Sequence, residues 1–281
     1  MAYLAAGLFA CAAWRITGND AWIVEFFRLP GALLLVWLAG VELLFSVRVC
    51  RQLSPGESLR AAWRLIAASA AFDFCGALAV QVFGVHSEIN PLPRLPGWSN
   101  SATAAIRQFG LFLGGSCRFV LLAGGLLLAL RLYRKSGFLG RFRPVDVVLL
   151  AVSGGYVVWE AADVLTALHH GKQPSLGEVL GWPVDPLLWL LLGEAMLLYR
   201  SVQVTGQGWV GRCWSAFSVG IGLVVLGDIG IWATAYGYLP WPWSSLGWYV
   251  WLPAAGAFAL APSYQLEAIH RAMTGGNLSV D

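Results

Sequence analysis

RQFGLFLGGSCRFVLLAGGLLLALR, residues 107–131, is the stretch whose reading decides the fold. Between its two terminal arginines the single charged side chain is Arg118. A helix crossing the hydrocarbon core of a bilayer needs roughly 20 mostly apolar residues, and this run supplies them. A helix also satisfies its own backbone hydrogen bonds, which lipid cannot do. Six more segments of the same character lie on either side, at about 29–49, 60–84, 145–168, 184–203, 210–236 and 245–269. The expected fold is all-α: a polytopic integral membrane helical bundle, one transmembrane domain over residues 1–281. It has seven transmembrane helices, or eight if the N-terminal apolar segment also crosses.

Composition agrees with this reading. Hydrophobic residues make up 58% of the 281, and charged residues only 12%. Soluble domains carry about 25% charged residues. So sparse a polar skin excludes an ordinary cytosolic enzyme, a nucleic-acid binder and a disordered chain. Cys11, Cys50, Cys75, Cys117 and Cys213 are scattered, with no CxxC, and read as small core residues. The four histidines are too few for a membrane di-iron site, and no lysine lies in the last segment to hold a retinal. No cofactor is expected.

The cations fix an orientation. Arg48, Arg51, Arg60 and Arg64 flank one connection, and Arg131, Arg134, Lys135, Arg141 and Arg143 the next on the same side. Arg200, Arg212 and Arg271 join them. The opposite side holds Arg15, Arg28, Arg94, Arg107 and Lys172. By the positive-inside rule the richer side is cytoplasmic, and so is the C-terminus. The expected location is a bacterial cytoplasmic (inner) membrane. Residues 1–28 read as an interfacial segment anchored by Trp14, Trp22, Phe26 and Phe27, or as a short extra span. They lack the basic n-region of a secretory signal.

Ionisable groups inside lipid are costly, and they mark function or an interior face. Glu42, Asp73 and Glu194 fall near mid-depth of their segments, as does Arg118. The expectation is a buried ionic cluster in which Arg118 pairs with one or two of these acids. A second group sits nearer the outside. Glu160 and Asp163 are three residues apart and share a helix face, and His170 continues it. Asp228 lies at similar depth on another segment, with Trp232 and Tyr236 close in sequence. These six residues are candidates for ligand binding or proton relay, in an acidic, aromatic-walled pocket open to the outside. Such a pocket suits a cationic or amphipathic small molecule. The spacing gives no ExxH, so no metal is expected, and no catalytic constellation is legible. Gly110-x-x-x-Gly114 allows close helix approach.

LGDIGIWATAYGYLPWPWSSLGWYVWLPAAGAFALAP, from Leu226 to Pro262, resembles the end of the multi-span N-terminal membrane sensory regions of bacterial GGDEF-type signalling proteins. The matching positions are Gly227, Asp228, Trp232, Ser244, Ser245, Trp248, Trp251, Ala257 and Ala261. The likeness covers about 37 residues, and no cytoplasmic output domain accompanies it. It implies an input module acting through a partner, and it implies no catalytic residue. The expected function is therefore a sensory or accessory membrane protein. Its expected partners are the bilayer, a membrane or cytoplasmic protein and an unidentified small molecule, with no nucleic acid. A proton-coupled small-molecule transporter is the first alternative. A membrane enzyme acting on a lipid or isoprenoid is the second.

Overall fold

The computed structural model describes residues 12–19, 31–83, 100–137, 144–171, 184–203, 208–235 and 246–274, with Phe9, Gly237 and Tyr238. All regular structure among them is helical. The helices are Ala32–Gln52 (α1), Ser58–Leu78 (α2), Asn100–Phe112 (α3), Arg118–Lys135 (α4), Pro144–His169 (α5), Val184–Gln203 (α6), Trp209–Ala235 (α7) and Leu246–Met273 (α8). A π-helical turn, Leu113–Cys117, joins α3 to α4 in one rod, and another, Ala79–Phe83, extends α2. The seven rods coincide with the seven apolar segments of the sequence. Most of residues 1–14, and the connections around 85–99, 172–183 and 239–245, lie outside the described residues.

Among the described residues four stretches are long and apolar enough to cross a membrane: Ala32–Gln52, Ser58–Gln81, Gln108–Lys135 and Trp209–Gly230. The remaining rods reach 20 residues or more. In α6, however, Asp185, Glu194 and Arg200 dilute the apolar character, and in α8 glycine, proline, tryptophan and tyrosine do so. The surface is apolar: Leu33, Trp37, Leu44, Val120, Leu127, Val219, Leu226 and Leu260 are all exposed. In water such a continuous apolar surface would drive aggregation. Lipid tails match it.

Six rods close into a ring. In order, α1 packs on α2, α2 on α4, α4 on α6, α6 on α7, α7 on α8, and α8 back on α1. Large side chains fill the ring at the level of its basic end: Trp63, Trp214, Phe217 and Phe258 are fully buried or nearly so. Trp63 lies 6.2 Å from both Trp214 and Phe217, and Phe217 lies 6.1 Å from Phe258, centroid to centroid. The Trp214 indole N–H donates to the Tyr133 hydroxyl at 3.1 Å. Helix α5 stands outside the ring against α6. It is held by the Ser153 hydroxyl donating to the Trp189 carbonyl at 3.0 Å and by an Asp146–Arg200 ion pair. The rest of α5 presents Val145, Val148, Val152 and Val158 outward.

The tightest helix crossing is between α2 and the α3–α4 rod. A Cβ built on Gly76 would stand 2.5 Å from the Gly114 nitrogen and 2.7 Å from the Gly110 carbonyl oxygen. The obstacles are backbone atoms, so no rotamer change can relieve them. Gly110 and Gly114 are thus the small faces that let these backbones meet, as their spacing implies. Gly76→Ala is expected to cost about 1–3 kcal/mol, the usual range for overpacking. Gly56→Ala is the control, because nothing lies within 4 Å of its Cβ position. Thermal unfolding of both variants in detergent checks this. Equal midpoints would remove the crossing from the account.

Candidate functional site

The strongest chemistry in the described residues is at the centre of the ring. Arg118 opens α4, immediately after the π-helical turn. Its backbone N–H donates to the Leu113 carbonyl, five residues back, and to that of Gly115. A π turn adds one residue to the helix, and each residue rotates the register by about 100°. The turn therefore sets the direction in which Arg118 leaves the helix. The Ser69 hydroxyl donates to the Arg118 carbonyl at 2.9 Å and pins this point of the rod to α2.

The Arg118 guanidinium reaches two acids. Its Nη1 donates to Asp73 Oδ1 at 2.7 Å, and its Nη2 stands 3.6 Å from Glu42 Oε2. The Phe258 ring lies 4.6 Å from the guanidinium carbon and the Phe119 ring 5.5 Å. Relative exposures of 1% for Glu42, 7% for Asp73 and 9% for Arg118 mark the group as sealed. The contacts join α1, α2, α4 and α8, four of the six ring helices. Two carboxyl groups face one guanidinium, so the cluster is neutral with one proton bound and carries −1 without it.

Glu194 does not join this cluster, although the sequence reading grouped it there. It is buried, and among the described residues its Oε2 has no hydrogen-bond partner. The reason is axial offset. Val184 of α6 meets Gly115 of the α3–α4 rod, and both rods run the same way. Glu194 is ten residues past its contact and Arg118 only three past its own. That leaves Glu194 about 10 Å further along the bundle.

The outer group is less assembled. The side chains of Glu160, Asp163 and Trp232, and the whole of Tyr236, lie outside the described residues. His170 is exposed, and its ring stands 5.8 Å from that of His169. Asp228 is half-buried on α7, beside Gly227, where any Cβ would run into the Trp251 ring. α5, which carries Glu160 and Asp163, leans on α6, whereas α7 lies between α6 and α8. Among the described residues no three His, Cys, Asp or Glu side chains group closely enough to hold a metal ion.

Sequence reasoning missed several contributors. Ser69 and Asp73, like Glu42 and Ser46, are four residues apart, so each serine extends the polar face of its acid by one turn. That spacing was the available signal. Phe258 and the Asp146–Arg200 pair carried none, because both depend on which helices are neighbours. Comparison with protein-family models, with curated proteins and with solved structures finds no match to this chain.

Removing one partner of a buried ion pair costs about 3–5 kcal/mol, because the other charge is left uncompensated. Arg118→Met is expected to destabilise the bundle on that scale. Adding Glu42→Gln and Asp73→Asn to Arg118→Met should recover most of the loss, since no charge is then stranded. Unfolding midpoints of the single and triple variants test the pairing. A triple variant as unstable as the single one would show that packing, not charge, holds the site.

Proposed function

We propose that this chain is an integral protein of a bacterial inner membrane, with seven transmembrane helices, or eight if residues 1–14 cross, and a cytoplasmic C-terminus. In this reading it is a sensory or accessory subunit, and its two states are set by the charge of the Arg118–Asp73–Glu42 cluster. The supporting observation is a guanidinium shared by two sealed carboxyl groups at unequal distances, 2.7 and 3.6 Å. A buried group that can hold or release one proton is a two-state element, and the helices it joins carry the change. Glu42, on the longer contact, is the exchanging acid. Asp73 stays with Arg118.

Each part of the surroundings has a role here. Among the described residues, α8 contributes the Phe258 ring and no charge to the cluster, so the proton balance rests on the three named groups. The outward end, read from Asp228 with Trp232 and Tyr236 near it in sequence and from Glu160, Asp163 and His170 on a separate segment, is the proposed entry for a cationic or amphipathic small molecule. The short basic connections on the other side would dock a partner protein. The likeness of residues 226–262 to sensory membrane regions favours the same reading. A proton-coupled carrier is the second reading. It is favoured by the number of acids in the bundle, which could pass protons in series.

Glu42→Gln mimics the proton-bound cluster. With the chain in lipid nanodiscs, tryptophan emission should change on acidification from alkaline pH as Glu42 takes up its proton. Trp63 and Trp214 report on the packing that continues from Phe258. In Glu42→Gln the emission should stay at its acidic value across the whole range. A wild-type transition that persists unchanged in Glu42→Gln would remove the cluster from the function. Reconstitution without a partner separates the two readings. Ligand-dependent proton entry into liposomes would favour the carrier, and none is expected of a sensor.

A further inference from the structure

Buried polar atoms in folded proteins nearly always have a hydrogen-bond partner, so each exception calls for one. Beyond the cluster itself, Glu194 Oε2 and four further exceptions fall on one side of it, toward the basic end. The Ser46 Oγ, Trp63 Nε1, Gln265 Oε1 and Arg60 Nε are all buried without a hydrogen-bond partner among the described residues. Ser46 and Trp63 are 0% exposed and Gln265 is 4%. Ser46 is unusual in a further respect. Ser136, Ser201 and Ser218 each donate to the carbonyl four residues back, whereas Ser46 leaves that local bond unmade.

All four atoms lie toward the same end of the bundle from the cluster. Ser46 is one turn past Glu42 on the buried face of α1. Gln265 is two turns past Phe258 on α8, and Phe258 lies against Arg118. Trp63 touches Phe217, which touches Phe258, so side-chain contacts tie it back to the cluster. Arg60 is three residues before Trp63 on α2. Counting from the cluster at about 1.5 Å per residue, Ser46 lies about 6 Å away, Gln265 about 10 Å, Trp63 about 15 Å and Arg60 about 20 Å. All four displacements run toward the Leu53–Glu57 turn, where the basic side of the molecule begins. Buried sites with two to four polar partners hold ordered water.

We infer that Ser46, Gln265, Trp63 and Arg60 line an internal hydrated path from the Arg118–Asp73–Glu42 cluster to the cytoplasmic face, and that its cargo is the proton. The inference deepens the proposed function and rests on its assignment of Glu42 as the exchanging acid. Both kinds of partner are present: the Ser46 hydroxyl donates and accepts, Gln265 Oε1 accepts, and Trp63 Nε1 and Arg60 Nε donate. A water chain held this way connects to bulk solvent beside Arg60 and Arg64. The charged cluster is then supplied from the inside, while the outer end remains free for a ligand.

Cysteine accessibility tests it. Ser46→Cys and Gln265→Cys are made separately in a chain whose five native cysteines are replaced by serine. Leu126→Cys, fully buried on α4, is the control. A small membrane-impermeant cationic methanethiosulfonate is applied to inside-out and to right-side-out vesicles. The path predicts modification of Ser46→Cys and Gln265→Cys from the cytoplasmic face, at least tenfold faster than Leu126→Cys, and no such preference from the outside. Reaction no faster than Leu126→Cys at both positions overturns it, as does reaction from the outer face alone. Two probes keep the test open if one variant fails to fold. Reactive cysteines with an unaltered pH transition in Glu42→Gln would keep the path and reject the proposed function. Inert cysteines with that transition abolished would do the reverse.

Discussion

Everything central to this bundle depends on one guanidinium held out of water between two carboxyl groups. Arg118 is at the midpoint of its rod and is the one charged residue between Arg107 and Arg131, and the cost of placing it there is large unless it is paired. The pairing with Asp73 and Glu42 fixes α4 against α1 and α2, and the Phe258 ring brings in α8. Lipid offers no hydrophobic drive to hold helices together, so packing and polar contacts must do it. Here the polar contact is also the feature with a titratable surplus.

The backbone prepares that contact. Gly76, Gly110 and Gly114 bring α2 and the α3–α4 rod to within backbone contact, one turn from Arg118. The π-helical turn at Leu113–Cys117 then sets the angle of the arginine, and Ser69 fixes its carbonyl. Toward the basic end, Trp63, Trp214, Phe217 and Phe258 fill the ring. Among the described residues, the Trp63 N–H in this packing has no hydrogen-bond partner.

Much of this was legible in the sequence, for identifiable reasons. A charge inside an apolar run must face inward and find an opposite charge, which singled out Arg118, Asp73 and Glu42. Apolar length placed all seven rods to within a few residues, apart from the rod carrying α3, which begins seven residues before residue 107. Glu194 was grouped with Arg118 because depth was counted from each boundary, and depth alone does not say which helices adjoin or how they are offset. The π turns carry no pattern beyond Gly114-Gly115-Ser116. The outward pocket was read from residues such as Glu160, Asp163 and Tyr236, which lie outside the described part of the chain or have side chains that do. It stands on sequence spacing and on Asp228.

The most direct test of the central claim is infrared difference spectroscopy of the protein in lipid across an acidification step. The account predicts a protonated-carboxyl band gained on acidification, sensitive to deuterium oxide, that is lost in Glu42→Gln and retained in Glu194→Gln, where only the contribution of Glu194 itself disappears. A band that survives intact in Glu42→Gln would contradict it, because the exchanging proton would then belong to a group outside the Arg118 cluster.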